Sequence, residues 1–184
     1  MGPQMTAAVI ENALALLGES VVYHTDIELL IVGGAAGMIT GLFPSTRTTS
    51  DCDVMLYMPA EAMVAVEVAA EEIAVQLGLS RDWLNSNVQL RLDALPDDWI
   101  RRRVLIGHWG RLRIFAASRV DLIAMKILAG RIRDVEDLRS LQLRTDDLAF
   151  LHSYLDGLPE KGTRPPEVKA AVSLLTLLKT TIRD

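Results

Sequence analysis

Two neighbouring stretches decide how the chain is read: Ile27-Glu28-Leu29-Leu30-Ile31-Val32-Gly33-Gly34-Ala35-Ala36-Gly37-Met38-Ile39-Thr40-Gly41-Leu42, and, after a polar segment, Asp51-Cys52-Asp53-Val54-Met55-Leu56-Tyr57-Met58. Ile27 to Val32 is a short apolar run rich in branched residues, which reads as a buried strand. Gly33-Gly34 breaks it, and Ala35 to Leu42 has the small, apolar composition of a short helix packed closely on a sheet, closed by Phe43-Pro44-Ser45. Leu29 to Thr46 is charge-free and as long as a membrane span, but Gly33, Gly34, Gly37, Gly41 and Pro44 interrupt it, so strand, turn and helix is the expectation. Asp51 to Met58 reads as a second strand, after which Pro59-Ala60-Glu61 opens a helix that runs to Leu77 and stops at Gly78.

On the N-terminal side, Thr6 to Leu17 has helical periodicity and ends at Gly18. On the C-terminal side, Ser80 is placed to cap a short helix over Arg81 to Asn85. Val88-Gln89-Leu90-Arg91-Leu92 alternates as a strand does, and Val104-Leu105-Ile106 and Leu112-Arg113-Ile114-Phe115 flank Gly107-His108-Trp109-Gly110 as a hairpin turn. Ser118 then begins a capping pattern with Asp121 in the Glu position, and helices are expected over Arg119 to Ala129, Asp134 to Leu141, Asp146 to Leu155 and Pro166 to Ile182. Gly157 to Pro166 reads as a linker that separates the last helix from the body. The fold class is therefore α/β or α+β, with a helical C-terminal part. The expected organisation is a core over residues 1–142 and a helical extension over 143–184.

The 184 residues are half apolar and 23% charged, enough for a sizeable core and too apolar for disorder. Cys52 is the single cysteine, so no internal disulfide forms, and no N-terminal stretch has the pattern of a secretion signal; a cytoplasmic location is expected. The net charge of −5 is unevenly spread: residues 1–100 carry 3 basic and 14 acidic side chains, residues 101–184 carry 16 and 10. Such asymmetry suits a polyanion or nucleotide beside an acidic cleft, although solvated faces also produce it.

Asp51 and Asp53 are the chemically informative pair. Side chains two apart on a strand share a face, so the carboxylates repel one another and call for a counter-charge. A hard divalent cation such as Mg²⁺ supplies one and keeps coordination positions for water and phosphates. The plain alternative is a hydrated strand end. Gly33-Gly34 lies at a strand-to-helix junction where missing side chains let a phosphate approach, or where a tight turn simply needs glycine. Between them, Arg47-Thr48-Thr49-Ser50 brings a cation and hydroxyls directly before the carboxylates.

Gly33-Gly34, a short helix, and Arg47-x-Thr49-x-Asp51-x-Asp53 together resemble the core signature of the nucleotidyltransferase (DNA polymerase β-like) superfamily. Asp121-Leu122-Ile123-Ala124-Met125-Lys126, followed by Arg131-x-Arg133-Asp134-x-x-Asp137-Leu138, is similar to the small bacterial group that includes AbiEii-type toxins. The resemblance covers roughly residues 27 to 142. It implies a mixed sheet flanked by helices, with an NTP and Mg²⁺ at the end of the first two strands, and transfer of a nucleotidyl group to an acceptor hydroxyl. By that resemblance Gly33, Gly34, Arg47 and Thr49 bind the nucleotide, and Asp51 and Asp53 hold the metal and are catalytic. Lys126 meets a phosphate, Arg131, Arg133 and Asp137 complete the nucleotide site, and Lys126 and Asp134 are further catalytic candidates. A tRNA or a protein is a candidate acceptor, an antitoxin is a candidate partner, and an oligomer is allowed for. The spacing agrees in part, setting Lys126 and Arg133 two helical turns apart and Asp134 and Asp137 on one helix face, a pattern that exposed ion pairs share.

One departure bears on catalysis. Members of the superfamily usually add a third carboxylate on a later strand; Asp93 is the acidic candidate here, and Leu112 to Phe115 has none. Two further readings follow. One is a catalytically degenerate module that binds nucleotide or protein. The other is an RNA- or DNA-binding regulator using Trp83, Trp99 and Trp109 with Arg101, Arg102, Arg103, Arg111 and Arg113. His24, His108 and His152 lack metal-ligand spacing, Cys52 alternates away from the carboxylates into the core, and Val168, Ala171, Val172, Leu175 and Leu178 form a packing or dimer stripe.

Overall fold

A computed structural model describes residues 3–86 and 95–179, and its contacts sort the chain into two compact units. The first holds α1 (Ala7–Ser20), β1 (Ile27–Val32), α2 (Gly33–Ile39), β2 (Cys52–Met58), α3 (Met63–Leu77), β3 (Leu84–Asn85) and all but the first residue of the short α4 (Trp99–Arg102), with β4 (Val104–Trp109) and β5 (Leu112–Ala116). Among the described residues these strands form one mixed sheet in the order β3-β2-β1-β5-β4. β1 is central, antiparallel to β2 and parallel to β5. Five of its six residues are buried, as an apolar run covered on both faces requires. Glu28 is the exception, and it receives Arg103 at 2.7 Å and Arg113 at 3.3 Å.

α1 packs on α2, α3, β4 and β5 through Ile10, Ala13, Leu14, Leu17 and Gly18, an i, i+3, i+4, i+7, i+8 stripe. Thr6 caps it, accepting the Val9 amide hydrogen at 3.4 Å. At its other end a Cβ on Gly18 would stand 2.5 Å from the Trp109 Cβ, so only glycine lets the helix lie this close to β4.

The second unit, which includes residues 118–184, holds α5 (Arg119–Ala129), α6 (Ile132–Ser140), α7 (Thr145–Gly157) and α8 (Pro165–Lys179). α5 is the helix on which the other three pack, through buried Leu122, Ile123, Ala124 and Ile127. Ser118 caps it as expected: its hydroxyl accepts the Asp121 amide hydrogen and donates to the Asp121 carboxylate at 2.5 Å. Residues 118–142 of the expected core thus pack among themselves and with the C-terminal helices.

Several expectations need correction. Arg81 to Asn85 is not a helix: a single turn closes with the Trp83 amide on Ser80 O at 3.0 Å, and Leu84 and Asn85 then pair with Cys52 and Asp53 as parallel β3. Trp83 is fully buried with its Nε1 on Ala70 O at 2.8 Å, and that anchor draws the chain onto the sheet. The hairpin turn is Gly110-Arg111, because Gly110 takes the left-handed φ of +54° at the first loop position, whereas Gly107 stays in β4, with the Trp109 ring packed over it. The short helix starts at Gly33, two residues before Ala35. Gly157 to Pro166 is no spacer either: Leu158–Lys161 forms a 3₁₀ turn with Leu158 buried, and α8 lies on α5 through Ala171, Leu175 and Leu178. The strand expected over Val88 to Leu92, and Asp93, lie outside the described residues.

Candidate active site

The antiparallel pairing of Val32 with Asp53 sets the end of β1 beside the start of β2. Gly33, the next residue, has φ +67°, and a Cβ there would stand 2.6 Å from Asp53 Oδ2. Glycine is required on both counts, conformation and space. A Cβ on Gly34 would meet Arg47 Nη2 at 3.3 Å and Thr49 Oγ1 at 3.5 Å, so the second glycine faces the loop that carries the cation and the hydroxyl. Arg47 is folded back, its Nη1 donating to Thr48 O. Gly33, Gly34, Arg47, Thr49, Asp51 and Asp53, spread over the sequence, therefore form one cluster at the end of two strands.

Within it, neutral donors hold the carboxylates. Thr49, only 4% exposed, donates through Oγ1 to Asp51 Oδ1 at 3.1 Å. Asn85 donates through Nδ2 to Asp53 Oδ1 at 2.9 Å. Cys52 between them is fully buried, as the alternation requires, and its thiol is pushed well above its ordinary value first by burial, then by Asp53 and Asp51. A group that is harder to ionise beside both carboxylates is no nucleophile.

Sequence reasoning missed Asn85, because a two-residue strand carries no periodicity and Trp83 read as part of a helix. The signal was chemical: an amide, like a hydroxyl, is an uncharged donor that can hold a carboxylate without neutralising it. It also missed Met5, whose backbone pairs with Thr49 through bonds of 2.7 and 3.1 Å.

A second cluster lies in the helical unit. Lys126 Nζ donates to Asp137 Oδ2 at 2.6 Å and to Asp134 Oδ1 at 3.1 Å, with side-chain exposures of 6%, 5% and 15%. Asp134 Oδ2 also accepts the Arg131 amide hydrogen at 3.3 Å, the N3-to-N-cap half of a capping box. Asp134 and Asp137 do share a face of α6. Lys126 and Arg133 are not two turns apart on one helix, because α5 ends at Gly130, which takes a left-handed φ of +58°. Arg131 and Arg133 are exposed at the start of α6. The expected set is thus divided, six residues in the sheet unit and five in the helical unit.

The basic hairpin is less available than its arginine count suggests. Arg103 and Arg113 pair with Glu28, Arg111 pairs with Asp26 at 3.1 Å, and the Arg103 guanidinium lies 3.8 Å from the Phe115 ring centre. Trp83 and Trp109 are spent on packing. β5, next to β1, carries no acidic residue, and among the described residues no three His, Cys, Asp or Glu side chains gather as a metal-holding group.

A mixed sheet flanked by helices, with a Gly-Gly turn leading out of its central strand and two carboxylates on the antiparallel neighbour, defines the nucleotidyltransferase class of folds. The chain belongs to that class at the level of family: residues 8–156 match the family described as nucleotidyltransferase of unknown function (DUF6036). No curated protein and no solved structure matches significantly. The description names no substrate, metal or partner.

Proposed function

We propose that the chain is a Mg²⁺-dependent nucleotidyltransferase that moves a nucleotidyl group from an NTP to an acceptor hydroxyl. The observation that carries this reading is the convergence of Gly33, Gly34, Arg47, Thr49, Asp51 and Asp53 at one end of β1 and β2. The donors fit the cation: Mg²⁺ is usually held by one or two carboxylates plus substrate phosphates and water, and this cluster offers two carboxylates beside a hydroxyl. When bound, the cation neutralises charge on the triphosphate and its leaving group.

The chain's own residues supply the rest. Gly33 leaves room for the Asp53 carboxylate, Gly34 faces Arg47 and Thr49 without a side chain of its own, and Arg47 swings from the Thr48 carbonyl to a phosphate. The acceptor oxygen bonds to the α-phosphorus as the bond to the β-phosphate oxygen breaks. Pyrophosphate leaves with the electron pair, and the hydroxyl proton passes to water or a carboxylate. Asp134 is poorly suited as that base, since Lys126 and the Arg131 amide already engage both its oxygens. The group of buried Lys126 and Asp137 with half-buried Asp134 favours a role in pinning α6 to α5. A tRNA or protein hydroxyl as acceptor, and an antitoxin as partner, extend this reading along the AbiEii likeness.

A second reading has one observation behind it: among the described residues no third carboxylate joins Asp51 and Asp53. In that case the module binds the Mg²⁺-nucleotide without turnover. Incubation with labelled NTPs, total cellular RNA and protein separates the two. Label appearing on an acceptor, lost in Asp51→Asn/Asp53→Asn, supports transfer; tight Mg²⁺-dependent binding with no labelled product supports the module.

A further inference from the structure

The loop over residues 40–51, which delivers Asp51 to the site, has no regular structure apart from one isolated bridge, and its partner in that bridge comes from the far N-terminal end of the described chain. Met5 N donates to Thr49 O at 2.7 Å and Thr49 N donates to Met5 O at 3.1 Å. Thr48 Oγ1 donates to Gln4 Oε1 at 3.1 Å. Met5 is completely buried, and the next residue, Thr6, caps α1, whose apolar stripe packs on the sheet and α3. The strap therefore has a rigid base. Thr49 at its other end is itself buried, so its backbone N–H and C=O need partners, and Met5 provides both. The Thr49 hydroxyl then donates to Asp51 Oδ1.

We propose that Gln4 and Met5 form a positioning strap for the candidate site, fixing the Asp51 carboxylate through Thr49. This deepens the nucleotidyltransferase reading and rests on it for its consequence, metal and nucleotide affinity. Its structural half, control of the Asp51 carboxylate, stands independently. The strap lies before residue 8, where the family match begins. The physical logic is that of outer groups at metal sites: a ligand held in orientation by a donor, which is in turn held by its backbone, loses affinity when any link is removed. Met5, Gln4 and Thr49 act on the carboxylate and are positioning residues.

The test uses the full chain and Mn²⁺ as the probe, following loss of the free-ion electron paramagnetic resonance signal, with the ¹³Cγ resonance of Asp51 recorded in metal-free protein. Met5→Pro removes the N–H given to Thr49, Met5→Leu keeps both backbone bonds, Thr49→Val removes the hydroxyl and Thr49→Ser restores it. Met5→Pro and Thr49→Val are expected to weaken Mn²⁺ binding roughly tenfold or more, the range seen when outer partners of metal ligands are lost, and to move the Asp51 resonance, whereas Met5→Leu and Thr49→Ser leave both close to wild type. A folded Met5→Pro protein with wild-type affinity and an unmoved resonance overturns the proposal. Should Met5→Pro fail to fold, Met5→Ala, which empties the buried anchor, carries the same two outcomes. Should the wild type take up no Mn²⁺, the nucleotide reading falls, and the strap is decided by the resonance alone: movement in Met5→Ala and Thr49→Val supports it, and none overturns it.

Discussion

Gly33 and Asp53 meet so closely that a single methyl group between them would stand 2.6 Å from a carboxylate oxygen, and the glycine's left-handed φ of +67° admits few other residues in any case. Gly33→Ala is therefore strained in its backbone and forced against Asp53. A loss of about 1–3 kcal/mol in unfolding free energy is expected, together with loss of divalent-cation binding, because the carboxylate must move. Denaturant unfolding and Mn²⁺ titration of the same preparation check both parts.

Gly18 provides the control for that experiment. Its Cβ would clash with the backbone and Cβ of Trp109, at 2.5 to 2.7 Å, yet it lies at the far end of α1 from Thr6 and the strap. Gly18→Ala should lower stability by a similar ~1–3 kcal/mol and leave cation affinity within about twofold of wild type, since overpacking is felt locally. Equal loss of affinity in both variants would mean that the site answers to general stability rather than to the Gly33 contact.

How far these contacts could be read beforehand differs from residue to residue. β1 was legible because a strand buried on both faces is one continuous apolar run, and α5 because Ser118 and Gly130 mark its ends chemically. The clustering of Gly33, Gly34 and the Asp51–Asp53 pair follows from a tight connection and an antiparallel neighbour, both short-range in sequence. Asn85 and Met5 were illegible for the opposite reason: each reaches the site through pairing with a segment more than thirty residues away, and a two-residue strand or a single bridge leaves no periodicity. Lys126 was read as a phosphate ligand from its resemblance, while its burial against Asp134 and Asp137 depends on the turn at Gly130 that brings α6 back onto α5.

Lys126 yields a stability prediction of its own. Lys126→Met retains most of the apolar stem and removes the ammonium that Asp134 and the almost fully buried Asp137 share. Removing one partner of such a buried group costs about 3–5 kcal/mol. Urea melts of both proteins measure it.

Asn85 answers to charge. Asn85→Asp puts a further carboxylate beside Asp53, 2.9 Å from its oxygen, and like charges at that distance destabilise one another. The variant should melt below wild type in chelator and recover when Mg²⁺ is added, a larger Mg²⁺-dependent rise than wild type shows, because a ligand that binds only the folded state stabilises it. Identical Mg²⁺ responses would separate Asn85 from the cation site.

Cys52 sets the behaviour at high pH. Its folded-state thiol titrates well above its ordinary value of 9.0, so the unfolded chain loses that proton first and stability falls as the pH rises past 9. Cys52→Ala lacks that slope. Unfolding free energies of the two proteins between pH 8 and pH 10 should therefore converge as the pH rises, and the wild-type thiol should resist alkylation until the protein unfolds.

The central claim is that Asp51 and Asp53 form the cation-dependent nucleotide site of a nucleotidyltransferase, and calorimetric titration of the four NTPs, with and without Mg²⁺, tests it most directly on the wild type and on Asp51→Asn/Asp53→Asn. The account predicts that the wild type binds at least one NTP only with Mg²⁺, and that the folded double variant binds none. Folded wild-type protein that binds no NTP, or a double variant that binds as well as wild type, would contradict it.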